Sequence, residues 1–405
     1  MEWKEDIAAD FCSSVTDGTH DSPKATINGK KLITSKHLKD GYIDFESAKF
    51  ISEKDYLKVI ERSKVDQFDI LFSMIGTIGN IYRETSPNIE YAVKNMGIFK
   101  MGGNAIRSKW LYYWLKSKEA HAYIYERMAG STQSYLTLDS LRKFPVVYPE
   151  DINDMENIVS ILSSLDRKIE LNNKINADLE EMVQAIFKNW FVDFEPFKDG
   201  KFVNSELGMI PEGWKVGTLG DFCKCLLGGT PSRSKEEYWN GEVNWINSGE
   251  INKFRILEAS EKITELGLAK SATKLLPKKT TVLAITGATL GQVSLLEIDT
   301  CANQSVIGVL ENTEIPYEYI YPFIKDRIEM LIQHQTGGAQ QHINKDNVES
   351  LIFLLPAKNV LEGYISLVRP MYKRIESQCF ENLYLSLLRD TLLPRLMSGE
   401  LEVPE

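Results

Sequence analysis

The side chains that could carry catalysis are spread along this sequence without the spacing that an active site needs. The five histidines, His20, His37, His121, His334 and His342, show no metal-ligand spacing. Cys223 and Cys225 are too close together for a zinc pair, and no second pair completes such a site. These residues therefore predict no metal centre in this chain.

Two glycine-rich turns have only a superficial similarity to phosphate-binding loops. Gly76-Thr-Ile-Gly79 and Gly287-Ala-Thr-Leu-Gly291 lack the lysine that would hold a phosphate, and neither GxGxxG nor GxxxxGK[ST] occurs. Asp166 and Lys168 could be a fragment of a nuclease motif, but a solvated flank of a coiled coil is the simpler explanation. Phe194-Glu-Pro-Phe197 only echoes an amino-methyltransferase signature. We therefore interpret the chain as a binding protein without a cofactor of its own.

Length and composition favour a globular protein of two or three domains. The chain has 405 residues, 43% hydrophobic and 26% charged. The absence of a membrane-length apolar run, a signal peptide or a disulfide framework predicts a reduced, cytoplasmic protein. The net charge of −10 argues against nucleic acid at first sight. However, residues 151–200 hold 5 Lys and Arg against 11 Asp and Glu. A protein with this distribution would borrow cationic surface from a partner to meet a phosphate backbone.

Residues 1–150 recur as residues 212–356. Matching segments are Trp3 and Trp214, Asp10-Phe-Cys12 and Asp221-Phe-Cys223, and Gly130-Ser-Thr-Gln133 and Gly337-Gly-Ala-Gln340. In each copy, an apolar run that ends in a glycine turn predicts a buried strand. The aromatic segments Trp110–Trp114 and Tyr317–Tyr321 are better placed as helices that pack on a sheet. The pattern predicts two mixed α+β domains.

A long heptad helix is predicted after each copy. Apolar residues fall on steps of four and three over residues 158–190 and again over 364–396. Arg389 interrupts the second helix, and Pro370 and Pro394 are expected to strain or bound it. Each helix of about 33 residues would be roughly 50 Å long, which corresponds to about 14–15 base pairs of DNA.

Polar residues interrupt both helices at matching places. Asn172 and Asn176 lie in the first helix, and Gln378 and Asn382 lie in the second. In an antiparallel pair Asn172 would face Asn382 and Asn176 would face Gln378, and such a layer fixes register at a cost in stability. Parallel pairing would also match amides, and two unrelated breaks in imperfect heptads are the simpler alternative. Antiparallel pairing would give a pseudo-two-fold, nearly circular chain, with residues 398–401 returned to the start.

The order and duplication of these motifs resemble the specificity subunit of a type I restriction-modification enzyme. The matching segments are Trp214-Lys-Val-Gly-Thr-Leu-Gly-Asp-Phe222, Gly228-Gly-Thr-Pro-Ser232, Trp245-Ile-Asn-Ser-Gly249, Gly287-Ala-Thr-Leu-Gly291, Asn303-Gln304, Ala185-Ile-Phe-Lys-Asn-Trp-Phe-Val-Asp-Phe-Glu-Pro196 and Glu206-Leu-Gly-Met-Ile-Pro-Glu-Gly-Trp214. No single motif is specific, but together they cover nearly the whole chain. The ends of the two domains differ from the family pattern. They are Val147-Tyr-Pro149 and Leu355-Pro-Ala357, where the family often has Pro-Pro-Leu followed by Glu-Gln.

The resemblance implies a non-catalytic subunit with two target recognition domains on two spacer helices. The expected segments are residues 1–150 for the first recognition domain, 151–193 for the central helix, 194–357 for the linker and second recognition domain, and 358–405 for the C-terminal helix. Each recognition domain would read one half of a bipartite, asymmetric DNA site, and the helices would set the gap. Two modification subunits that use S-adenosylmethionine and two restriction subunits that use ATP and Mg²⁺ would complete the complex.

Polar residues in the glycine-bounded loops are the candidates for base contacts, because their side chains pair with groove edges. In the first domain they are Thr19, His20, Asp21, Lys36, Thr77, Asn80, Arg83, Ser131, Thr132 and Gln133. In the second they are Thr230, Ser232, Arg233, Asn247, Ser248, Thr289, Gln292, Gln340, Gln341 and His342. A turn-forming role explains each of them equally well. For Trp239, Trp245 and the aromatics of 110–114, core packing is favoured over base stacking.

Two other functions remain open at this point. One is a stand-alone nuclease or methyltransferase with a degenerate site, which would be active as the purified chain. The other is a two-headed scaffold that gathers proteins and does not bind DNA.

Overall fold

The computed structural model describes residues 2–39, 41–128, 134–333 and 343–403. The chain divides into two compact units, a first unit of Met1–Lys168 with Tyr384–Glu405 and a second unit of Ile169–Leu383. Among the described residues, every helix is too short or too polar to cross a membrane.

The first unit is built from short strands with helices packed against them. Its strands are β1 (Trp3–Ile7), β2 (Ser14–Asp17), β3 (Lys30–Thr34), β4 (Leu38–Lys39), β5 (Tyr42–Ile43), β6 (Phe50–Ile51), β7 (Ile70–Ser73), β8 (Ile81–Arg83), β9 (Tyr91–Lys94), β10 (Met96–Lys100) and β11 (Pro145–Pro149). Its helices are α1 (Ala8–Phe11), α2 (Glu53–Ser63), α3 (Ala105–Trp114), α4 (Lys118–Arg127), α5 (Leu138–Arg142) and the first part of α6 (Ile152–Phe191).

The second unit has the same kinds of elements. Its strands are β12 (Phe202–Ser205), β13 (Gly208–Pro211), β14 (Lys215–Thr218), β15 (Lys224–Leu227), β16 (Trp239–Ile246), β17 (Glu261–Ile263), β18 (Leu275–Leu276), β19 (Thr281–Ala284), β20 (Val293–Leu295), β21 (Thr300–Ala302), β22 (Val306–Leu310) and β23 (Ile352–Leu355). Its helices are α7 (Leu219–Phe222), α8 (Glu265–Lys270), α9 (Tyr317–Gln333), α10 (Lys345–Glu349), the last part of α6 and the first part of α11 (Lys358–Met397). The last part of α11, from Tyr384 onward, belongs to the first unit.

The strand order confirms that the sequence repeat is a repeat of topology. The first unit holds an antiparallel sheet in the order β2-β10-β7-β8, and the second holds β15-β22-β19-β20. A second sheet contains one parallel pair in each unit, β3 with β9 and β16 with β21. The first strand also pairs with the last in each copy, β1 with β11 and β14 with β23. The predicted fold class, two sheet-rich α+β domains combined with long helices, is confirmed.

The two predicted glycine turns follow fully buried strands, β7 and β19. Gly76 and Gly79 have φ values of +79° and +95°, and Gly287 and Gly291 have values of +72° and +85°. Glycine enters this left-handed region without the steric cost that a Cβ brings. Both turns therefore depend on glycine at matching positions.

The aromatic segments are helical and buried, as predicted. Trp110 Nε1 donates to the Val147 carbonyl at 2.9 Å, and Trp114 Nε1 donates to the Pro145 carbonyl at 2.6 Å. These bonds tie α3 to the closing strand β11. In the second unit Trp245 is also fully buried. Core packing, the favoured explanation for these rings, is confirmed.

The helices α6 and α11 each contain 40 residues, more than the 33 expected. The helix α11 continues through Pro370 and Pro394, so neither proline ends it. In the second unit the pairing is antiparallel, because Asn172 on α6 contacts Asn382 while Trp190 packs on Tyr364.

The C-terminal segment of the first unit returns to the start of the chain. A Cβ added at Gly399 would lie only 2.7 Å from Trp3 Nε1, so the glycine packs directly on the indole. Leu401 and Val403 also pack on the core of this unit. The expected return of residues 398–401 to Trp3 is confirmed.

The polar layer of the helix pair is centred on Asn172. Asn172 Nδ2 donates to Asn382 Oδ1 at 2.8 Å and to Glu381 Oε2 at 2.7 Å, while Gln378 Nε2 donates to Asn172 Oδ1 at 3.1 Å. The facing of Asn172 and Asn382 is therefore confirmed. The expected pairing of Asn176 with Gln378 is wrong. Gln378 reaches one turn along the helix to Asn172, and Asn176 donates instead to Cys379 Sγ at 3.6 Å.

A buried arginine joins the second sheet domain to the helix pair. Arg255 Nη2 donates to Glu180 Oε2 on α6 at 2.7 Å, and Nη1 donates to the Tyr321 hydroxyl at 3.1 Å. Lys325 Nζ donates to the other Glu180 oxygen at 2.9 Å. Burial alone would raise the pKa of the Glu180 carboxyl, but Arg255 and Lys325 outweigh it and hold the pKa below its ordinary value.

The same arginine continues to a second carboxylate. Arg255 Nε lies 4.0 Å from Glu297 Oε1, and Glu297 is paired with Lys279. Lys279 Nζ also lies 3.1 Å from Glu376 Oε2 on α11. The sheet domain is thus joined to both long helices by three cations and three carboxylates. We call these six residues, Glu180, Arg255, Lys279, Glu297, Lys325 and Glu376, the ionic joint.

We expect Asn172→Leu to lower the free energy of unfolding by about 1–3 kcal/mol, because it leaves the buried amide nitrogen of Gln378 and the half-buried amide oxygen of Asn382 without their partner on Asn172. The matched control is Asn176→Leu, which removes one long bond to Cys379 Sγ and a buried carbonyl oxygen without a hydrogen-bond partner among the described residues. Urea unfolding monitored by circular dichroism measures both. An equal or larger loss for Asn176→Leu would contradict the assigned centre of the layer.

We expect Glu180→Gln to lower the free energy of unfolding at pH 7 by roughly 3–5 kcal/mol, since it removes the carboxylate to which the buried Arg255 donates its hydrogen bond. The folded-state pKa of Glu180 is depressed, so its contribution is present above the ordinary value of 4.5 and is lost as pH falls through the folded pKa. The difference from wild type should therefore shrink in urea unfolding below about pH 4.5.

Glu195→Gln is the control for Glu180→Gln, because Glu195 forms an exposed pair with Lys198 at 2.6 Å. Its effect should stay within about 1 kcal/mol. A loss at Glu180 that is independent of pH down to acid unfolding would rule out the electrostatic explanation.

Candidate nucleic-acid interface

The first candidate cluster lies directly after β2, around the buried carboxylate of Asp17. Arg62 Nη2 donates to Asp17 Oδ1 at 2.8 Å, and His20 Nε2 lies 2.9 Å from Oδ2. Thr19 is buried, and its hydroxyl accepts the backbone N–H of Asp21 at 3.1 Å. Thr19 therefore shapes the turn, while His20, Asp21 and Arg62 present polar groups to solvent.

Asn95 joins this loop to the turn that carries Lys36. Its N–H donates to the Thr19 carbonyl at 3.2 Å, its side-chain oxygen lies 3.0 Å from His20 Nδ1, and its carbonyl accepts the Ser35 hydroxyl at 3.0 Å. Asn95 has φ +52°, a region that asparagine tolerates better than most residues. Lys36 is exposed beside it. Our sequence reasoning missed Asn95, although an asparagine between two strands is a signal for such a turn.

Three candidates lie on or after the glycine turn of residues 76–79. One is exposed, and the other two form hydrogen bonds inside the domain. Thr77 is exposed. Asn80 Nδ2 donates to the Leu38 carbonyl at 2.8 Å, and Arg83 Nε donates to the Ser108 hydroxyl at 2.8 Å. Burial lowers the pKa of Arg83. Because Asn80 and Arg83 use these donors inside the domain, Thr77 is the stronger candidate of this turn.

In the second unit the matching loop follows β15 and is held close to neighbouring backbone. A Cβ added at Gly228 would lie 2.1 Å from the Asn303 carbonyl oxygen, so only glycine fits there. Thr230 Oγ1 donates to Gln304 Oε1 at 2.5 Å. Ser232 is exposed, and its hydroxyl lies 2.9 Å from that of Ser234.

Arg233 lies on the same loop, stacked between aromatic rings and a carboxylate. Its guanidinium carbon lies 3.6 Å from the centre of the Trp239 ring and 5.1 Å from that of Trp245. Both of its terminal nitrogens donate to Glu261, with Nη2 2.9 Å from Oε1. The Arg233 side chain is still 55% exposed. Our sequence reasoning missed Glu261, which lies 28 residues away and shows no local pattern.

The remaining candidates of the second unit lie on two adjacent turns. Asn247 Oδ1 accepts the N–H of Gly249 at 2.8 Å and caps the turn that begins at Ser248. Gln292 N–H donates to the Thr289 carbonyl at 3.0 Å, and the Gln292 side chain is exposed. The 3-10 turns Ser248–Asn252 and Gly287–Thr289 contact each other, so the structure brings Asn247, Ser248 and Thr289 into one region.

Six candidates lie outside the described residues. They are Ser131, Thr132, Gln133, Gln340, Gln341 and His342. These residues belong to the repeated Gly-x-x-Gln segments, and their contribution to base contacts stays a prediction.

The chemistry of the described residues is that of hydrogen bonding and ion pairing. The part of the chain that the structure describes contains no group of three or more His, Cys, Asp or Glu that could hold a metal ion. Cys223 and Cys225 are buried, and burial raises the pKa of each thiol to about 12, which keeps both protonated at neutral pH. The exposed loops instead present donors and acceptors suited to the edges of bases and to phosphates.

Comparison with known proteins identifies the same family in both copies. The family model described as the type I restriction modification DNA specificity domain matches residues 24–181 and again residues 211–360. The chain is 29% identical to the specificity subunit of the type I restriction enzyme MjaIX from Methanocaldococcus jannaschii, over 75% of this chain and 71% of that protein. It is 25% identical to the HindI specificity subunit from Haemophilus influenzae, over 84% and 88%.

A solved structure shares the fold. The S subunit of a type I restriction-modification system from M. genitalium aligns with a TM-score of 0.58 at 14% sequence identity, over 100% of this chain and 97% of that one. At this identity the likeness concerns the fold alone. The two family matches cover more than half of the chain and fall on the two domains that share one topology. The protein therefore belongs to the specificity subunits of type I restriction-modification systems.

Proposed function

We propose that the two sheet domains divide a bipartite DNA site between them, so that each reads one half-site. The observation that carries this proposal is that the family match occurs twice, on domains of one topology whose loops carry different side chains. In the loop after β2 the exposed groups are His20 and Asp21, beside Arg62 of α2, whereas after β15 they include Ser232 and Arg233. Domains with one scaffold and different loop chemistry are suited to reading two different sequences.

The domain limits and the spacer belong to the same proposal. Residues 1–150 and 194–357 are the recognition domains, the latter with its linker, and residues 151–193 and 358–405 are the spacer helices. The gap between half-sites is then set by helix length. The polar layer around Asn172 supports this, since a buried layer of this kind fixes the register in which the helices pair.

The chain acts as the DNA-binding subunit of a restriction-modification complex, without catalysis of its own. We propose that two modification subunits with S-adenosylmethionine and two restriction subunits with ATP and Mg²⁺ complete it in the cytoplasm. The net charge of −10 supports a division of labour in which the partners supply most phosphate contacts. The recognition loops would then supply the contacts to base edges.

Sequencing of methylated adenines tests the proposal in cells that carry this chain together with its modification subunit. We expect one bipartite motif with two different half-sites and a fixed gap, because in this proposal two unlike domains read the DNA and the helices set the distance between the half-sites. The control is the modification subunit without this chain, which should give no motif. A continuous motif, or methylation by the purified chain alone, would overturn the proposal.

Lengthening both helices tests the spacer. Inserting one heptad in 165–183 and another in 371–389 adds about 10 Å of helix and should widen the gap by about three base pairs. Both half-sites should stay the same. The same seven residues inserted at the exposed tip of the β12–β13 hairpin, at Leu207, form the control and should change nothing. An unchanged gap with altered half-sites would contradict this role of the helices.

A further inference from the structure

Arg233 has the geometry of a side chain that could contact a base, but its guanidinium is paired with Glu261 in the free protein. The guanidinium carbon lies 3.6 Å from the centre of the Trp239 ring, and both terminal nitrogens donate to the Glu261 carboxylate. An arginine that stacks and pairs through both nitrogens keeps its plane and its fork direction fixed. Such a fork loses little side-chain entropy when it exchanges one bidentate partner for another.

The loop that carries Arg233 is itself fixed by the two indoles. Trp239 Nε1 donates to the Ser232 carbonyl at 3.2 Å, and Trp245 Nε1 donates to the Gly229 carbonyl at 3.1 Å. The rings on which the guanidinium stacks therefore also hold the backbone that leads into Arg233. Arg233 is preorganised by groups that do not need to move when it changes its partner.

The pair with Glu261 is too exposed to be explained by stability. The Arg233 and Glu261 side chains are 55% and 35% exposed, and ion pairs as exposed as this one contribute little to stability. Structural ion pairs of this chain are found elsewhere, as in the buried pair of Arg255 with Glu180. An exposed, stacked and bidentate arginine on a recognition loop is better explained by what its fork can bind.

Guanine presents O6 and N7 in the major groove at a spacing that matches an arginine fork. A carboxylate presents two oxygens in a similar way, so Glu261 occupies the positions that guanine would take. Glu261 also neutralises the arginine, which weakens its attraction to phosphates of any sequence. Weaker binding to phosphates of any sequence increases the preference of Arg233 for its specific base.

We propose that Arg233 reads one guanine in the half-site of the second recognition domain, and that Glu261 is a positioning residue that holds its fork and suppresses non-specific binding. This inference rests on the proposed function. It adds the base that is read and a carboxylate that acts through the arginine.

The test compares variants of the full chain in complex with its modification subunits. Arg233→Lys keeps the charge but lacks the fork, and Arg233→Ala lacks both. In methylated-adenine sequencing both variants should lose the requirement for one guanine, with a preference reduced by roughly 5- to 150-fold, while the other half-site is unchanged. Because Arg233→Lys keeps its charge, its affinity for random duplex DNA should match that of wild type.

Glu261→Gln tests the positioning role through a readout that a merely structural residue would not move. Its affinity for random duplex DNA should rise, and the slope of log affinity against log salt should steepen by about one, because one phosphate-binding charge is released. Glu242→Gln is the matched control. Glu242 lies on strand β16 of the same sheet, is 95% exposed and pairs with Lys262 at 3.4 Å, so the same charge is lost away from the fork.

The outcomes separate this inference from the function on which it rests. A wild-type complex without a bipartite motif refutes the proposed function itself. A wild-type bipartite motif whose guanine requirements all survive in Arg233→Lys and Arg233→Ala refutes the reading role. Equal behaviour of Glu261→Gln and Glu242→Gln on random duplex refutes the role of Glu261. Thermal unfolding of each variant shows that the comparison is made on folded protein, and Arg233→Lys keeps the test valid if Arg233→Ala does not fold.

Discussion

The buried contact between Arg255 and Glu180 is the interaction on which the second unit depends. It places an arginine of the sheet domain against a carboxylate of α6, inside a protein core where an unpaired charge would cost several kcal/mol. If the two residues moved apart, Arg255 would lose its hydrogen-bonded carboxylate and Glu180 would lose its buried cation. The sheet domain therefore meets the helix in one orientation, and the loops at Arg233 and Asn247 inherit their positions from it.

The alignment of the helix pair in this unit also depends on the cost of leaving buried polar groups without partners. Asn172 is surrounded by groups that satisfy both its donor and its acceptor, so sliding the helices past each other would leave buried amides without partners. The apolar residues of the seam would tolerate several registers, but the hydrogen bonds of the Asn172 amide form in only one. Hydrophobic burial holds the helices together, and hydrogen bonding decides how they are aligned.

Much of this could be predicted from the sequence. Heptad spacing located the helices, glycine pairs located the turns after β7 and β19, and the repeat predicted one topology twice. These features are set by neighbours within a few residues, which is why pattern reasoning reached them. The same reasoning placed Asn172 opposite Asn382 but paired Asn176 with Gln378, because heptad positions do not reveal a side chain that reaches one turn along. Asn95 and Glu261 were missed because their contacts join residues far apart in the sequence, 60 and 75 residues for Asn95 and 28 for Glu261. Arg83 was overvalued because its burial by α3 is a tertiary effect.

The two units fasten their sheets to the helices by different chemistry, although their strands follow one plan. In the first unit Tyr113 donates to Asp166, and Arg389 of α11 pairs with the same carboxylate at 2.8 Å. In the second unit the fastening is the six-residue ionic joint. A sheet domain transplanted from another protein onto these helices would have to bring cations to Glu180 and Glu376, or bury those carboxylates unpaired. The helices thus constrain any exchange of this sheet domain: its exposed loops are free to differ, but the surface that meets α6 and α11 must carry cations that match Glu180 and Glu376.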